Sequence, residues 1–195
     1  MNSSSWLQNL SDVWDRPPSG YRPGVTLGQL RRDLAGLECE VASPTRVQFS
    51  TGDLEFEVQE RAQAQLLMHI VVCEFVLRVP SQQTEATKIV LRHTGAIRRQ
   101  GVAARLREGS AQAMAPLLER LHADAPLLAA LLPLDFKRLE LQRDAQGWQV
   151  RLEHFGASEV VNRLPGFRRY IRLTHEQRAA LLATFTRLYS LLGEF

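Results

Sequence analysis

His154, Ser158, Glu159, Asn162 and Arg163 all fall within the stretch His154-Phe-Gly-Ala-Ser-Glu-Val-Val-Asn-Arg163. A histidine, a hydroxyl and a carboxylate are the parts of a general base and nucleophile, so His154, Ser158 and Glu159 are the candidate catalytic residues. Proximity along the chain does not by itself establish the hydrogen-bond geometry that proton transfer requires. The plainer reading makes Gly156-Ala-Ser a turn or bulge and Ser158 a cap.

Charge is the second source of chemistry. Lys88, Arg92, Arg98, Arg99, Arg105 and Arg107 occur with no acidic residue until Glu108, and Arg163, Arg168, Arg169 and Arg172 occur with none between them. If the strands carrying these two stretches are neighbours, they form a positive patch able to hold phosphate, carboxylate or an acidic protein partner through charge-assisted hydrogen bonds. Arg98, Arg99, Arg163, Arg168, Arg169 and Arg172 are the expected ligand-binding residues. The competing reading is two solvated strand faces in a chain that favours arginine, since Lys88 and Lys137 are its only lysines. Phe167 and Tyr170 lie among the arginines as stacking platforms for bases. A net charge of +3 and the lack of any nucleic-acid-binding motif nevertheless argue against that partner.

Other signatures are absent. The chain contains no GxSxG, no GxxxxGK, no HExxH and no CxxC. His69, His93, His122, His154 and His175 are isolated, whereas metal ligands on regular structure come in pairs at close spacing. A site assembled from Cys39, Cys73, His69 and His93 would need the tertiary fold to gather it. No metal and no cofactor are expected, and both cysteines read as reduced, buried thiols on strands.

The elements that position these residues follow from periodicity. Arg138 to Arg143 and Trp148 to Glu153 flank Asp144-Ala-Gln-Gly147, a hairpin that sets Leu141 opposite Val150 and Leu139 opposite Leu152. The same register sets Glu140 opposite Arg151 and Arg138 opposite Glu153, so one face is apolar and the other is paired charge. A similar hairpin, Arg46 to Phe49 and Leu54 to Val58 around Ser50-Thr-Gly-Asp53, predicts Val47 opposite Phe56 and Arg46 opposite Glu57. Leu66 to Val79 is apolar on both parities and reads as a central strand, with Glu74 and Arg78 either at its exposed end or paired inside. Leu37 to Ala42, Lys88 to Ile97, Val160-Val161 and Phe167 to Leu173 supply further strands.

Thr26 with Gln29 makes a capping box that starts a helix ending at Gly36, and Thr174 with Gln177 makes another. The second opens a helix with an apolar stripe of Leu181, Leu182, Phe185, Leu188, Tyr189 and Leu192. Val102 to Leu132 reads as mostly helical, broken at Gly109, Pro116, Pro126 and Pro133. A helix, a hairpin and a later strand recur in both halves, and Phe56 to Val76 and Val150 to Ile171 are similarly spaced, which suggests two pseudo-repeated halves.

Residues 1–25 read as an appendage in which Trp6, Leu10 and Trp14 line one side of a short helix, either a strap on the core or a docking element for a partner or a membrane surface. Residues 26–195 form the domain. A chain that is 45% hydrophobic and 23% charged buries one sizeable core. It lacks a secretory signal, and its longest apolar run is too short to span a bilayer, so the expected location is cytoplasmic.

The segment His154 to Leu173, with Tyr21-Arg-Pro-Gly24, resembles a bacterial family catalogued only as a domain of unknown function. The resemblance covers nearly the whole chain from Tyr21. It implies a bacterial cytoplasmic protein and brings no activity, cofactor or site residue with it.

These readings converge on a single α+β domain, an antiparallel sheet of about six to eight strands with helices packed on it. The expected role is a non-catalytic binding module that engages an acidic ligand or a protein partner on a basic sheet surface. The alternative is an enzyme with its site around residues 154–163.

Overall fold

Alternation of apolar and polar residues folds most of this chain into one antiparallel sheet. The computed structural model describes residues 18–95 and 100–195, the side chain of Arg163 excepted. Trp6 and Trp14, read above as a docking helix, lie outside the described residues, as do Arg98 and Arg99.

The strands are β1 (Glu38–Ser43), β2 (Arg46–Thr51), β3 (Leu54–Ala64), β4 (Met68–Val79), β5 (Thr87–Thr94), β6 (Gly101–Glu108), β7 (Phe136–Asp144), β8 (Gly147–His154), β9 (Ser158–Arg163) and β10 (Gly166–Ile171). They form one sheet in the order β1-β2-β3-β4-β8-β7-β5-β6, and β9 pairs with both β4 and β10. The described residues thus hold ten strands where six to eight were expected. The main miscount is β6, which lies in the stretch read as helical. Ala103, Ala104, Arg105 and Leu106 favour helix locally, but pairing along β5 turns their alternation into an edge strand.

β4 organises the sheet. β3 runs along one side of it from Phe56↔Leu77 to Ala64↔His69. The other side is shared, with β8 on the later half (Glu74↔Glu153 to Val79↔Trp148) and β9 on the earlier half (Met68↔Asn162 to Val71↔Glu159). Between them the chain bulges at residues 155–157, where Ala157 takes φ 66°.

The β7–β8 hairpin has the expected register, with Leu139↔Leu152, Glu140↔Arg151, Leu141↔Val150 and Arg138↔Glu153. The β2–β3 hairpin is displaced by two positions: Val47 faces Val58 and Phe49 faces Phe56. Its loop is only Gly52-Asp53, which Gly52 permits at φ 56°. A two-residue slip keeps parity, so every side chain stays on the expected face. Arg46 still reaches Glu57, now diagonally, at 3.4 Å.

Among the described residues four helices complete the fold: α1 (Val25–Asp33), α2 (Ala111–Ala123), α3 (Ala125–Leu131) and α4 (His175–Leu192). Leu27 and Leu30 of α1, Leu117 of α2, Leu127 of α3 and Phe185 and Leu188 of α4 join one core cluster with Phe49, Phe56, Phe75, Leu139 and Leu152 from a single parity of the strands. The helices therefore cover one face. The phenyl rings of Phe49 and Phe56 stack at 5.6 Å, and Phe185 meets Phe56 edge-on at 5.4 Å.

Several local expectations change. α1 is capped at Gly24 rather than Thr26, with no side-chain cap bond of its own, and it stops at Asp33 before Gly36. Glu60 of β3 supplies the cap instead, accepting from the backbone N–H of Gly24 at 3.1 Å and of Leu27 at 3.0 Å. The capping box at Thr174 and Gln177 is present on α4 as expected. Cys39 is exposed rather than buried, because β1 is an edge strand open on both faces, while Cys73 is buried. The spacing behind the two-halves reading has no structural counterpart: Phe56 and Val76 sit on paired strands, whereas Val150 and Ile171 sit on β8 and β10, which do not pair.

Candidate functional site

The sheet face opposite the helices carries the charged parity of the hairpins. At its centre Glu74 is 1% exposed and is ringed by three arginines. Arg138 Nη2 donates to Oε1 at 2.6 Å, while Arg61 Nη2 and Arg151 Nη1 lie 3.4 and 3.5 Å from Oε2, distances that supply charge more than directed bonding. Val72 and Val76 are buried on this helix-free face. Long side chains on neighbouring strands, such as Arg61 beside Val72 and Arg151 beside Val76, cover them with their stems and leave the heads at the surface.

Toward β5 and β6 the same face becomes uncompensated. Val90 pairs across the sheet with Glu140 on one side and Arg105 on the other, and Arg92 pairs with Ala103. A groove of about 200 Å³ opens there, lined by Val90, Arg92, Ala103, Arg105 and Arg107 among others. The small side chains of Val90 and Ala103 make its floor. Arg92, Arg105 and Arg107 are exposed and form no ion pair among the described residues. Glu140, the acid nearest in register, is bridged to Lys88 at 3.2 Å. A second depression along β7, lined by Arg92, Lys137 and Arg138 with Glu140 and Glu153, continues from it. Three guanidinium groups around a shallow apolar floor can bind a carboxylate or phosphate by forked hydrogen bonds.

The expected ligand-binding arginines divide differently. Arg168 and Arg172 are engaged by buried carboxylates, although the Arg172 side chain itself stays 77% exposed. Arg168 Nη1 donates to Glu159 at 2.9 Å and Nη2 to the Gly20 carbonyl at 2.7 Å, while Arg172 Nε donates to Asp33 at 3.2 Å. Arg169 is exposed on β10. The β5–β6 and β9–β10 stretches are not paired neighbours, because β7 and β8 intervene in the strand order.

The candidate catalytic residues hold the bulge between β8 and β9. His154 is buried, and its Nε2 accepts from the Asp135 N–H at 2.8 Å while its Nδ1 lies 3.1 Å from the Gly156 carbonyl, the arrangement of an Nδ1–H tautomer. Ser158 Oγ donates to the Phe155 carbonyl at 2.6 Å. Glu159 accepts from Thr26 Oγ1 at 3.3 Å as well as from Arg168. Ring and hydroxyl thus bond backbone, and the carboxylate bonds Thr26 of α1 and Arg168 of β10.

A layer of buried polar groups ties α1 and residues 18–24 to the sheet. Asp33 accepts from the Tyr170 hydroxyl at 2.8 Å and from the Leu173 N–H at 3.0 Å. Burial pushes the Tyr170 phenol well up, and the hydrogen bond to Asp33 adds to it; burial and then Glu60 do the same for Tyr21. Local sequence gave no sign of this layer, since Glu60 and Asp33 look like ordinary polar positions of an alternating strand and an amphipathic helix. The groove arginines were visible as part of an acid-free run, but their convergence required the β5–β6 pairing. Among the described residues no group of three or more His, Cys, Asp or Glu side chains is placed to hold a metal ion, and no helix is long and apolar enough to cross a membrane.

The model of one family, described as a protein of unknown function (DUF3156), matches residues 32–192. The chain belongs to this family. The matched span runs from the end of α1 to the end of α4 and so includes every strand of the sheet, the groove and the β8–β9 bulge. No curated protein and no solved structure matches the chain.

Proposed function

We propose that this member of the family is a non-catalytic, cytoplasmic binding module whose helix-free sheet face takes up an acidic ligand or the acidic segment of a protein partner. The observation that carries the reading is the convergence of exposed Arg92, Arg105 and Arg107 on one groove where, among the described residues, no carboxylate pairs with them. Unsatisfied guanidinium groups on rigid strands are pre-organised for an anion, and pre-organisation is what converts surface charge into affinity. Of the arginines expected from sequence, Arg168 braces Glu159 and Arg172 braces Asp33, while Arg169 is exposed on β10, away from this groove.

The test is calorimetric titration of the full chain with tripolyphosphate and with an acidic peptide, comparing it with the double variant Arg105→Glu, Arg107→Glu. The variant should keep its circular dichroism and melting temperature and bind at least about tenfold more weakly, the loss growing at low salt. Equal affinity in a folded variant would overturn the proposal.

A further inference from the structure

A second surface lies at the opposite end of β4 and has different chemistry. The β3–β4 turn carries Leu66, 93% exposed, and Leu67, 53% exposed. The β9–β10 turn carries Leu164, 73% exposed, and Phe167 follows it at 47%. Strand register puts the two tips side by side, because Met68 pairs with Asn162 and Asn162 pairs with Phe167. On the helix-free face the next row inward is Ile70, Val160 and Arg169, the first two only half-buried. Large apolar side chains thus protrude past the strand ends and run back along the face as one continuous strip.

The uncommitted charge beside this strip is cationic, that of exposed Arg169. Residues 61–73 and 160–173 contain arginines and no aspartate or glutamate. The acids that flank these stretches, Glu60, Glu74, Glu159 and Asp33, are buried and already engaged, Glu60 by the backbone of Gly24 and Leu27 and the others by Arg61, Arg168 and Arg172. Exposed leucines and a phenylalanine on two protruding turns, flanked by arginine and free of acid, suit an interface with an apolar interior and an anionic rim. An anionic lipid surface has that profile, and the convex tips fit its acyl boundary better than they fit a protein groove.

We propose that the paired tips of the β3–β4 and β9–β10 hairpins seat the protein on an anionic membrane surface, Leu66, Leu67, Leu164 and Phe167 entering the acyl boundary while Arg169 meets the headgroups. This surface is separate from the β5–β6 groove and stands without it. The experiment is vesicle flotation of the full chain with phosphatidylcholine alone and with equal parts phosphatidylcholine and phosphatidylglycerol. The chain should float with the mixed vesicles at least about tenfold more than with the neutral ones. The triple variant Leu66→Gln, Leu67→Gln, Phe167→Gln, folded by circular dichroism, should lose that difference, while Arg105→Glu, Arg107→Glu should keep most of it.

Three outcomes would overturn the assignment. They are wild-type protein that stays with neither vesicle, a folded triple variant that floats like wild type, and light scattering that shows a wild-type dimer converted to a monomer by the triple substitution. The last would mean that a second copy covers the tips.

Discussion

Cys39 and Cys73 show how strongly position outweighs residue type. Both are thiols on strands, yet one sits on the open edge strand β1 and the other beneath α1 in the core. Burial pushes the Cys73 thiol well up and the nearby charge of Glu60 pushes it further, so its thiolate, the reactive form, is suppressed in the folded state. A thiol reagent at neutral pH should therefore label Cys39 alone in the native protein and both cysteines in denaturant, as read by intact mass. Labelling of Cys73 at the rate of Cys39 under native conditions would mean that the core around β4 is open. The same dependence on position governs Glu74, whose carboxyl sits at 1% exposure with three arginines around it.

At the scale of elements, the β7–β8 hairpin owes its register to a loop that two independent constraints define. Gly147 takes φ 110°, where a side chain is strained, and a Cβ built there would approach the Val79 carbonyl to 2.6 Å. The hairpin turn and the close approach of β8 to the end of β4 thus both require glycine. Gly147→Ala should destabilise the protein by about 3 kcal/mol in urea unfolding, and more than the same change at Gly52, whose added Cβ would meet nothing within 4 Å. Equal effects at the two sites would show that the contact with Val79 does not matter. The contrast between the hairpins has a physical reason as well. Around residues 144–147 the ion pair Arg138–Glu153, at 3.6 Å, supports one alignment, whereas around residues 50–53 two alignments with the same parity satisfy the hydrophobic pattern equally.

The whole molecule has one core shared by four helices and one face of the sheet, with Phe56 at the meeting point of Phe49, Phe75 and Phe185. Phe56→Ala should cost about 3–5 kcal/mol, because the cavity lies where sheet and helix α4 both lose contacts. Far-UV and near-UV circular dichroism should still report one unfolding transition with a common midpoint. Separate midpoints would show that the α4 side of the core melts apart from the sheet. Among the described residues the opposite face has no helix over it, and this asymmetry leaves the β5–β6 groove and the hairpin tips open on a rigid scaffold.

Much of this was legible in residue order. Alternation by parity fixes which side chains go inward, and it placed Leu139, Leu141, Val150 and Leu152 in the core and Glu140 and Arg151 outside before any contact was known. The box at Thr174 and Gln177 likewise announced α4, since capping involves residues three apart. Pairing between distant strands was not legible, because it depends on contacts that no local spacing encodes. Only the tertiary structure decided that β6 is a strand, that β4 is shared by β8 and β9, and that Arg168 and Arg172 turn to buried carboxylates while Arg92, Arg105 and Arg107 converge. Local periodicity reports the face a residue prefers; the partner across that face is set by chain segments many residues away.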